Sequence, residues 1–248
     1  MIVSSTDPHD LHCPMPHRLA PPPRRGRAPL KATGTATAQV QSLTRGLNIL
    51  EALARAEGGL TLTDVAQRVA LPPSTTHRLL ATLDRMGYVY QAGELGRWYV
   101  GLQSFTVGST FLASRDFVAQ SHPHMRRLME QSGETANLAI LDGTEAVFID
   151  QVQCREMMRT IVKLGSRVPL HASGVGKALF ASLPDEQIDA ILKVKGIPRI
   201  TEHTITSPET MWAALRVIRQ RGWSFDDEEH ALGTRCVAAS VYDEHAAH

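Results

Sequence analysis

With 248 residues, 43% of them hydrophobic and 21% charged, the chain has the length of one large or two ordinary domains and the composition of a globular protein. No run of 18 apolar residues occurs, the first thirty residues hold no apolar leader core, and Cys13, Cys154 and Cys236 are too few and too scattered for a disulfide framework or a CxxC metal site, so a cytoplasmic protein with reduced thiols is expected. The net charge of +1 is unevenly divided, since eleven Lys and Arg against seven Asp and Glu through Tyr99 give +4 and leave −3 for the rest, a balance that suits a nucleic-acid module joined to something else.

In chain order, residues 1–39 are rich in Pro, Arg, Ala and Thr and lack periodicity, so a disordered basic arm is expected. His9, His12, Cys13 and His17 lie close together, but no second ligand pair follows at a structural-zinc spacing, so no metal is assigned. Arg24, Arg25, Arg27 and Lys31 suit either an A·T-rich minor groove or non-specific attraction to phosphates. Met15 is an alternative translation start, with the preceding residues then a gene-calling extension.

From Ser42 the pattern turns helical. Leu43, Leu47, Leu50 and Ala54 recur on one face, Ser42 is placed to cap, and Gly58-Gly59 stops the helix. Thr61 opens a second helix, 61–69, with Asp64 in a capping-box position and Leu62, Val65, Ala66 and Val69 facing inward. After the turn Ala70-Leu71-Pro72, Pro73 starts a third helix through Met86, with Leu79, Leu83 and Met86 inward and Ser74, His77, Arg78 and Arg85 outward. Its first turn has no carboxylate, although the helix dipole favours one there, and this suits an anionic partner. Two short β-type runs, 88–91 and 97–100, flank Gly93-Glu94-Leu95-Gly96 as a hairpin.

Helix, helix, turn, helix, hairpin is the order of a winged helix-turn-helix, which lays its third helix in the major groove. Ser74, Thr75 and His77 then meet phosphates or bases, Arg78 pairs with a guanine edge or a phosphate, and Arg97 lies on the wing against the backbone. Each residue alone also has a plain structural use, as a cap or a solvated charge.

Residues 102–119 continue as a linking helix carrying Phe105, Phe111 and Leu112, with Pro123 as its end or a break. A helix over 124–132 follows, with Met125, Leu128 and Met129 inward and Gly133 as its C′ residue. Strands are expected at 136–141, 146–152 and 158–162. At 168–183 glycines and small residues meet a helix start, which either holds a small anion on backbone N–H groups or lets helix and sheet pack closely; a phosphate-binding GxxxxGK pattern is absent. Helices at 185–192 and 208–221 precede the acidic quartet Asp226-Asp227-Glu228-Glu229, a pattern that usually marks a solvated face. A buried-strand pattern at 236–241 nevertheless draws Asp226 and Cys236 toward one sheet edge, as polar groups rimming an apolar pocket.

Taken together, VQSLTRGL (40–47), LPPSTTHRLL (71–80), GELGRW (93–98), SGETANLAILD (132–142), IDQVQC (149–154), LHASGVGKA (170–178) and SFDDEEHALGTRCVAA (224–239) resemble the IclR family of bacterial transcription regulators along nearly the full chain. The resemblance implies an α+β protein in four parts: an arm (1–39), a winged helix-turn-helix DNA-binding domain (40–102), a linker helix (103–122) and a GAF-like α/β effector-binding domain (123–248). It implies a homodimer or dimer of dimers on a palindromic operator of double-stranded DNA, repression of acetate and glyoxylate-bypass genes, and a small α-oxo acid effector such as glyoxylate or pyruvate. It adds Thr44 and Arg45 to the DNA-binding residues. It also gives the effector backbone N–H groups of Gly174 and Val175, the side chains of Asp226 and Cys236, and a wall of Met157, Thr160, Val168 and Thr234. Thr160 and Thr234 stand where apolar residues are expected. Members continue beyond 241–243 with a further strand and a closing helix, so an incomplete effector domain, an aggregation-prone open sheet edge and a weak or absent effector response are expected.

Three other readings compete, one of them a non-DNA interaction module. A regulator of a different catabolic operon would share every motif above. A thiol-dependent enzyme using Cys236 with His230 or His171 needs an imidazole on the sulfur and a third orienting group, and no signature supports that arrangement.

Overall fold

The computed structural model describes residues 2–5, 40–113, 115–156 and 162–242, which fall into two compact units, residues 15–114 and residues 1–14 with 115–248. The metal-ligand cluster around Cys13, the basic stretch 24–31, Met157, Thr160 and most of the strand expected at 158–162 lie outside the described residues. Among the described residues no helix is long and apolar enough to cross a membrane.

Within the stretch 1–39 expected to be disordered, the described residues Ile2–Ser5 form a strand, β1, which belongs to the second of these units. The other unit follows: α1 (Gln41–Ala54), α2 (Leu62–Arg68), α3 (Pro73–Arg85), the hairpin β2 (Val89–Ala92) and β3 (Arg97–Val100), and α4 (Leu102–Ala113). Its core is Ile49, Leu53, Leu60, Val65, Leu80, Val89 and Trp98. The capping box at Thr61 and Asp64 forms as the spacing indicates, with the Thr61 hydroxyl donating to Asp64 Oδ2 at 2.7 Å. That hydrogen bond holds the Asp64 carboxyl below its ordinary range.

Three expectations fail here. The N-cap of α1 is Val40, with no side-chain cap from Ser42. The buried face of α1 is Ile49, Ala52 and Leu53, whereas Leu43 and Leu47 are 61% and 50% exposed. On α3 Leu79 and Leu83 pack half-buried against the core as expected, but the fully buried pair is Thr76 and Leu80, and Met86 is 58% exposed. Burial of Thr76 is tolerated because its hydroxyl donates to the Pro72 carbonyl at 3.1 Å, so a polar residue takes the centre of the inner face.

The linking helix expected over 102–119 is two helices, α4 and α5 (Asp116–Ser132), and Pro123 lies within α5 without ending it. Proline removes one helical N–H, and the packing of α5 on its sheet, through fully buried Met125, offsets that loss. Gly133 ends α5 in the left-handed region at φ 74°, as its position predicts.

The remaining elements are β4 (Thr135–Asp142), β5 (Glu145–Val152), β6 (Arg167–Pro169), α6 (Gly174–Ser182), α7 (Asp185–Lys195), α8 (Pro208–Arg221), β7 (Ser224–Asp227) and β8 (Arg235–Ala238). The strands form one antiparallel sheet in the order β6-β5-β4-β1-β8-β7. Alternation along β4 and β5 sends Leu138 and Ile149 to one face, under α5, and Ala146 and Phe148 to the other, under α6 and α8. The open edge expected beside β8 is absent, because β8 pairs with β7 on one side and with β1 on the other. The described chain after Ala238 adds no strand, so the strand expected to run to 241 ends three residues earlier.

Candidate functional site

In the first unit the residues expected to read DNA gather around the start of α3. Pro72 and Pro73 set the first turn, which carries no acidic residue. Ser74, His77 and Arg78 are exposed and Thr75 is half-buried. Thr44 is exposed on α1, with half-buried Arg45 next to it. Arg97 has a second task on the wing, since its Nη1 donates to the Gly59 carbonyl at 3.1 Å and ties β3 to the turn before α2. These groups offer hydroxyl, imidazole and guanidinium donors on the side of α3 opposite Thr76 and Leu80, a surface suited to phosphates and base edges.

In the other unit Asp226 and Cys236 are direct cross-strand partners on β7 and β8, which bears out their expected proximity. Asp226 is 4% exposed and its Oδ1 accepts from the Glu229 N–H at 2.8 Å. Burial pushes its carboxyl above the ordinary range, against the pull of the Glu229, His230 and Gly174 backbone N–H groups and of Lys177.

Gly174 sits against Cys236: a Cβ at that position would lie 2.9 Å from Cys236 Sγ and 3.1 Å from its carbonyl oxygen. At Gly176 a Cβ would lie 2.7 Å from Leu170 Cα, and it would also strike the Pro169 carbonyl. Both glycines are therefore required for close packing of α6, and Ser173 completes the helix start by accepting from the Gly176 N–H at 3.0 Å. Val175 and Val168 are buried in the same core, and Thr234 is half-buried.

The acidic quartet is not one solvated face. Asp227 and Glu228 meet Arg235 at 2.6 and 3.0 Å, but Glu229 is buried and ion-paired with Lys177 of α6. Lys177 Nζ also donates to the Phe225 carbonyl at 2.6 Å. Thr201 and Thr204 donate to the Glu229 carbonyl at 3.2 and 2.8 Å and fasten this loop from the other side. Burial raises the Glu229 carboxyl, and it lowers the imidazoles of His171 and His230. His171 Nε2 is engaged with the Pro198 carbonyl at 3.0 Å.

Lys177 and Glu229 were not singled out from sequence. The signal was a lone lysine within the otherwise small and apolar GVGKALFAS, paired with the last member of a carboxylate run. Ser224, whose hydroxyl donates to the Gly174 carbonyl at 2.5 Å and so joins α6 to β7, gave no such signal. A cavity of about 170 Å³ lies elsewhere in this unit, walled by Leu170, His171, Phe180, Ile191 and Pro198, and the Asp226–Cys236 pair does not line it.

Comparison with known proteins accounts for both halves. The model of the IclR helix-turn-helix domain matches residues 42–93, and that of the bacterial transcriptional regulator IclR C-terminal region matches residues 109–247. The chain is 53% identical over 226 residues to a protein named transcriptional repressor IclR from Escherichia coli K12, and 52% identical over 226 residues to the acetate operon repressor of Salmonella typhimurium; each match covers 90% of this chain and 82% of the relative. Its fold is similar to that of an IclR homolog from Microbacterium hydrocarbonoxydans complexed with 4-hydroxybenzoate, with a TM-score of 0.67, 25% identity, and coverage of 80% of this chain and 88% of the other. The helix-turn-helix with its non-acidic front and the sheet bearing the Asp226–Cys236 pair are two halves of one known design, and the chain belongs to the IclR family of bacterial transcriptional regulators.

Proposed function

We propose that this protein represses acetate or glyoxylate-bypass genes by binding a palindromic operator as a homodimer or dimer of dimers, and that a small α-oxo acid such as glyoxylate or pyruvate releases it. The observation that carries the reading is the 53% identity, over 90% of the chain, with a named transcriptional repressor. The exposed front of α3, with Ser74, His77 and Arg78 and no carboxylate in its first turn, supports the DNA-binding step. Self-association is supported by α4, which buries no residue within its unit and exposes Leu102 and Phe105 by 77% and 71%.

For the effector, the support is the chemistry around Asp226. Asp226 lies directly opposite Cys236, and Gly174 at the α6 start packs against Cys236, so a carboxyl, a thiol and a helix start stand together there. Footprinting upstream of glyoxylate-bypass genes tests the whole reading. A protected palindrome that is released by glyoxylate or pyruvate is expected. No protection overturns the operator assignment, and protection indifferent to both acids overturns the effector.

A second reading, a regulator of another catabolic operon with a different small carboxylate, is favoured by Thr234. It is a half-buried polar residue where the family pattern leads one to expect an apolar wall. Titration with a panel of small carboxylates separates the two.

A further inference from the structure

The centre of the six-stranded sheet is made by the first residues of the chain. Ile2, Val3 and Ser4 are in register with Asn137, Ala136 and Thr135 of β4 on one side and with Ala238, Val237 and Cys236 of β8 on the other. Ser5 extends the second ladder opposite Arg235. Because β1 is antiparallel to both neighbours, β4 and β8 run parallel to each other, and a direct hairpin cannot join them. Their separation is two strand spacings, roughly 9.5 Å. Without an intervening strand both would present unpaired N–H and C=O groups to a gap in the middle of the sheet, which is costly for buried backbone.

All other strands of this sheet come from residues 135–238 in sequence, whereas 34 residues separate Ser5 from Val40, the next described residue. Ile2 and Val3 are β-branched and so favour the extended state. The register also forms one row across four strands, Thr135, Ser4, Cys236 and Asp226. Seating β1 therefore places Ser4 beside Cys236, in the row that Cys236 shares with Asp226.

We propose that the gap between β4 and β8 is a strand-binding site, and that its ligand is the chain's own N-terminal strand, Ile2–Ser5, supplied in cis. The strand acts as a tethered peptide that completes the sheet by edge pairing on both sides. The assignment does not depend on which operon or effector the protein serves.

Cysteine cross-linking in the full chain tests it. Directly opposed antiparallel residues have Cα atoms about 4.5 or 5.5 Å apart, both within disulfide reach. In a Cys13→Ser background, Ser4→Cys is paired with native Cys236; separately, Val3→Cys is combined with Val237→Cys. Adjacent pairs alternate between the two spacings, so the two variants sample both. After mild oxidation, peptide mapping is expected to find an intrachain link between positions 4 and 236, or 3 and 237, in the species that runs as a single chain on non-reducing gels. Failure of both pairs to link, a link to Cys154 instead, or a link between two chains overturns supply in cis. As a second measurement, deletion of residues 2–5 is expected to lower the melting temperature by several degrees or more, and an unchanged melting temperature also overturns the proposal. If the deletion variant does not fold, the cross-links decide.

Discussion

Lys177 and Glu229 form an ion pair inside the C-terminal unit, with side chains only 4% and 8% exposed. Removing one partner of such a pair leaves the other charge buried and uncompensated, at a cost of about 3–5 kcal/mol, whereas replacing both by apolar residues is often nearly neutral. Lys177→Met is therefore expected to lower the unfolding midpoint in urea strongly. The double variant Lys177→Met/Glu229→Met recovers most of the loss. A double variant no better than the single one would show that the Lys177 bond to the Phe225 carbonyl, and not the charge pair, sets the stability.

The same cluster gives the fold a pH dependence of definite sign. Burial raises the carboxyls of Asp226 and Glu229 above their ordinary range, so between the ordinary and raised values the folded state binds more protons than the unfolded one. This contribution is fully present below about pH 4 and is lost as pH rises through the raised values. Asp226→Asn keeps an acceptor for the Glu229 N–H and removes the buried charge. Its melting temperature should exceed that of the wild type near pH 7, and the difference should shrink toward pH 4. A difference constant across that range would remove desolvation as the cause.

The glycines at the start of α6 separate packing from anion holding, because alanine keeps the N–H and adds only a methyl group. Gly176→Ala drives that methyl into backbone at Leu170, which has no rotamer to adopt, so a loss of about 1–3 kcal/mol or more is expected. Gly174→Ala meets Cys236 Sγ as its nearest atom. Cys236→Ala should rescue part of the Gly174→Ala loss and none of the Gly176→Ala loss, as read from urea midpoints.

Elements with local stop and start chemistry were legible in the sequence. Ser207 caps α8 by accepting from the Thr210 N–H, and Gly222 closes it at φ 84°, so residues 208–221 were bounded correctly from the pattern alone. The Asp226–Cys236 pairing was legible from strand alternation and the likeness to known regulators. Faces were harder, since Leu43, Leu47 and Met86 have the spacing of core residues but are exposed on α1 and at the end of α3. Apolar periodicity records that a residue avoids water in some state of the protein, which need not be within one chain. The pairing of Ile2–Ser5 with β4 and β8 spans more than 130 residues of sequence, and no local signal encodes such a contact. Pro123 misled for the opposite reason: a strong local breaker was overridden by tertiary burial of Met125.

That exposed apolar surface makes its own prediction. On α4, Phe105 is 71% and Leu102 77% exposed, an arrangement a lone chain would not favour. Phe105→Asp should shift the sedimentation of the protein toward the monomer and weaken operator binding through loss of the second half-site. Its melting temperature at low protein concentration should be little changed, because no packing within its unit is removed. A variant that sediments like the wild type would show that α4 is not the self-association face.

The last prediction separates the two arginines assigned to DNA. Arg78 is exposed on α3, whereas Arg97 spends one guanidinium donor on the Gly59 carbonyl and so also holds the wing. Arg78→Ala should leave the melting temperature within about 1 °C of the wild type and weaken operator binding by about 1–3 kcal/mol, roughly 5- to 150-fold, at fixed salt. If Arg78 meets a base edge, the loss is confined to the operator; if it meets a phosphate, binding to unrelated DNA falls in proportion and the salt dependence becomes shallower by about one counterion. Arg97→Ala should lower both stability and affinity, because removing it frees the turn at Gly59 as well as the contact to the backbone. Gel-shift titrations at two salt concentrations, run beside thermal melts of the same samples, distinguish these outcomes. Operator affinity unchanged by Arg78→Ala would remove this arginine from the recognition surface and leave Ser74, Thr75 and His77 to carry it.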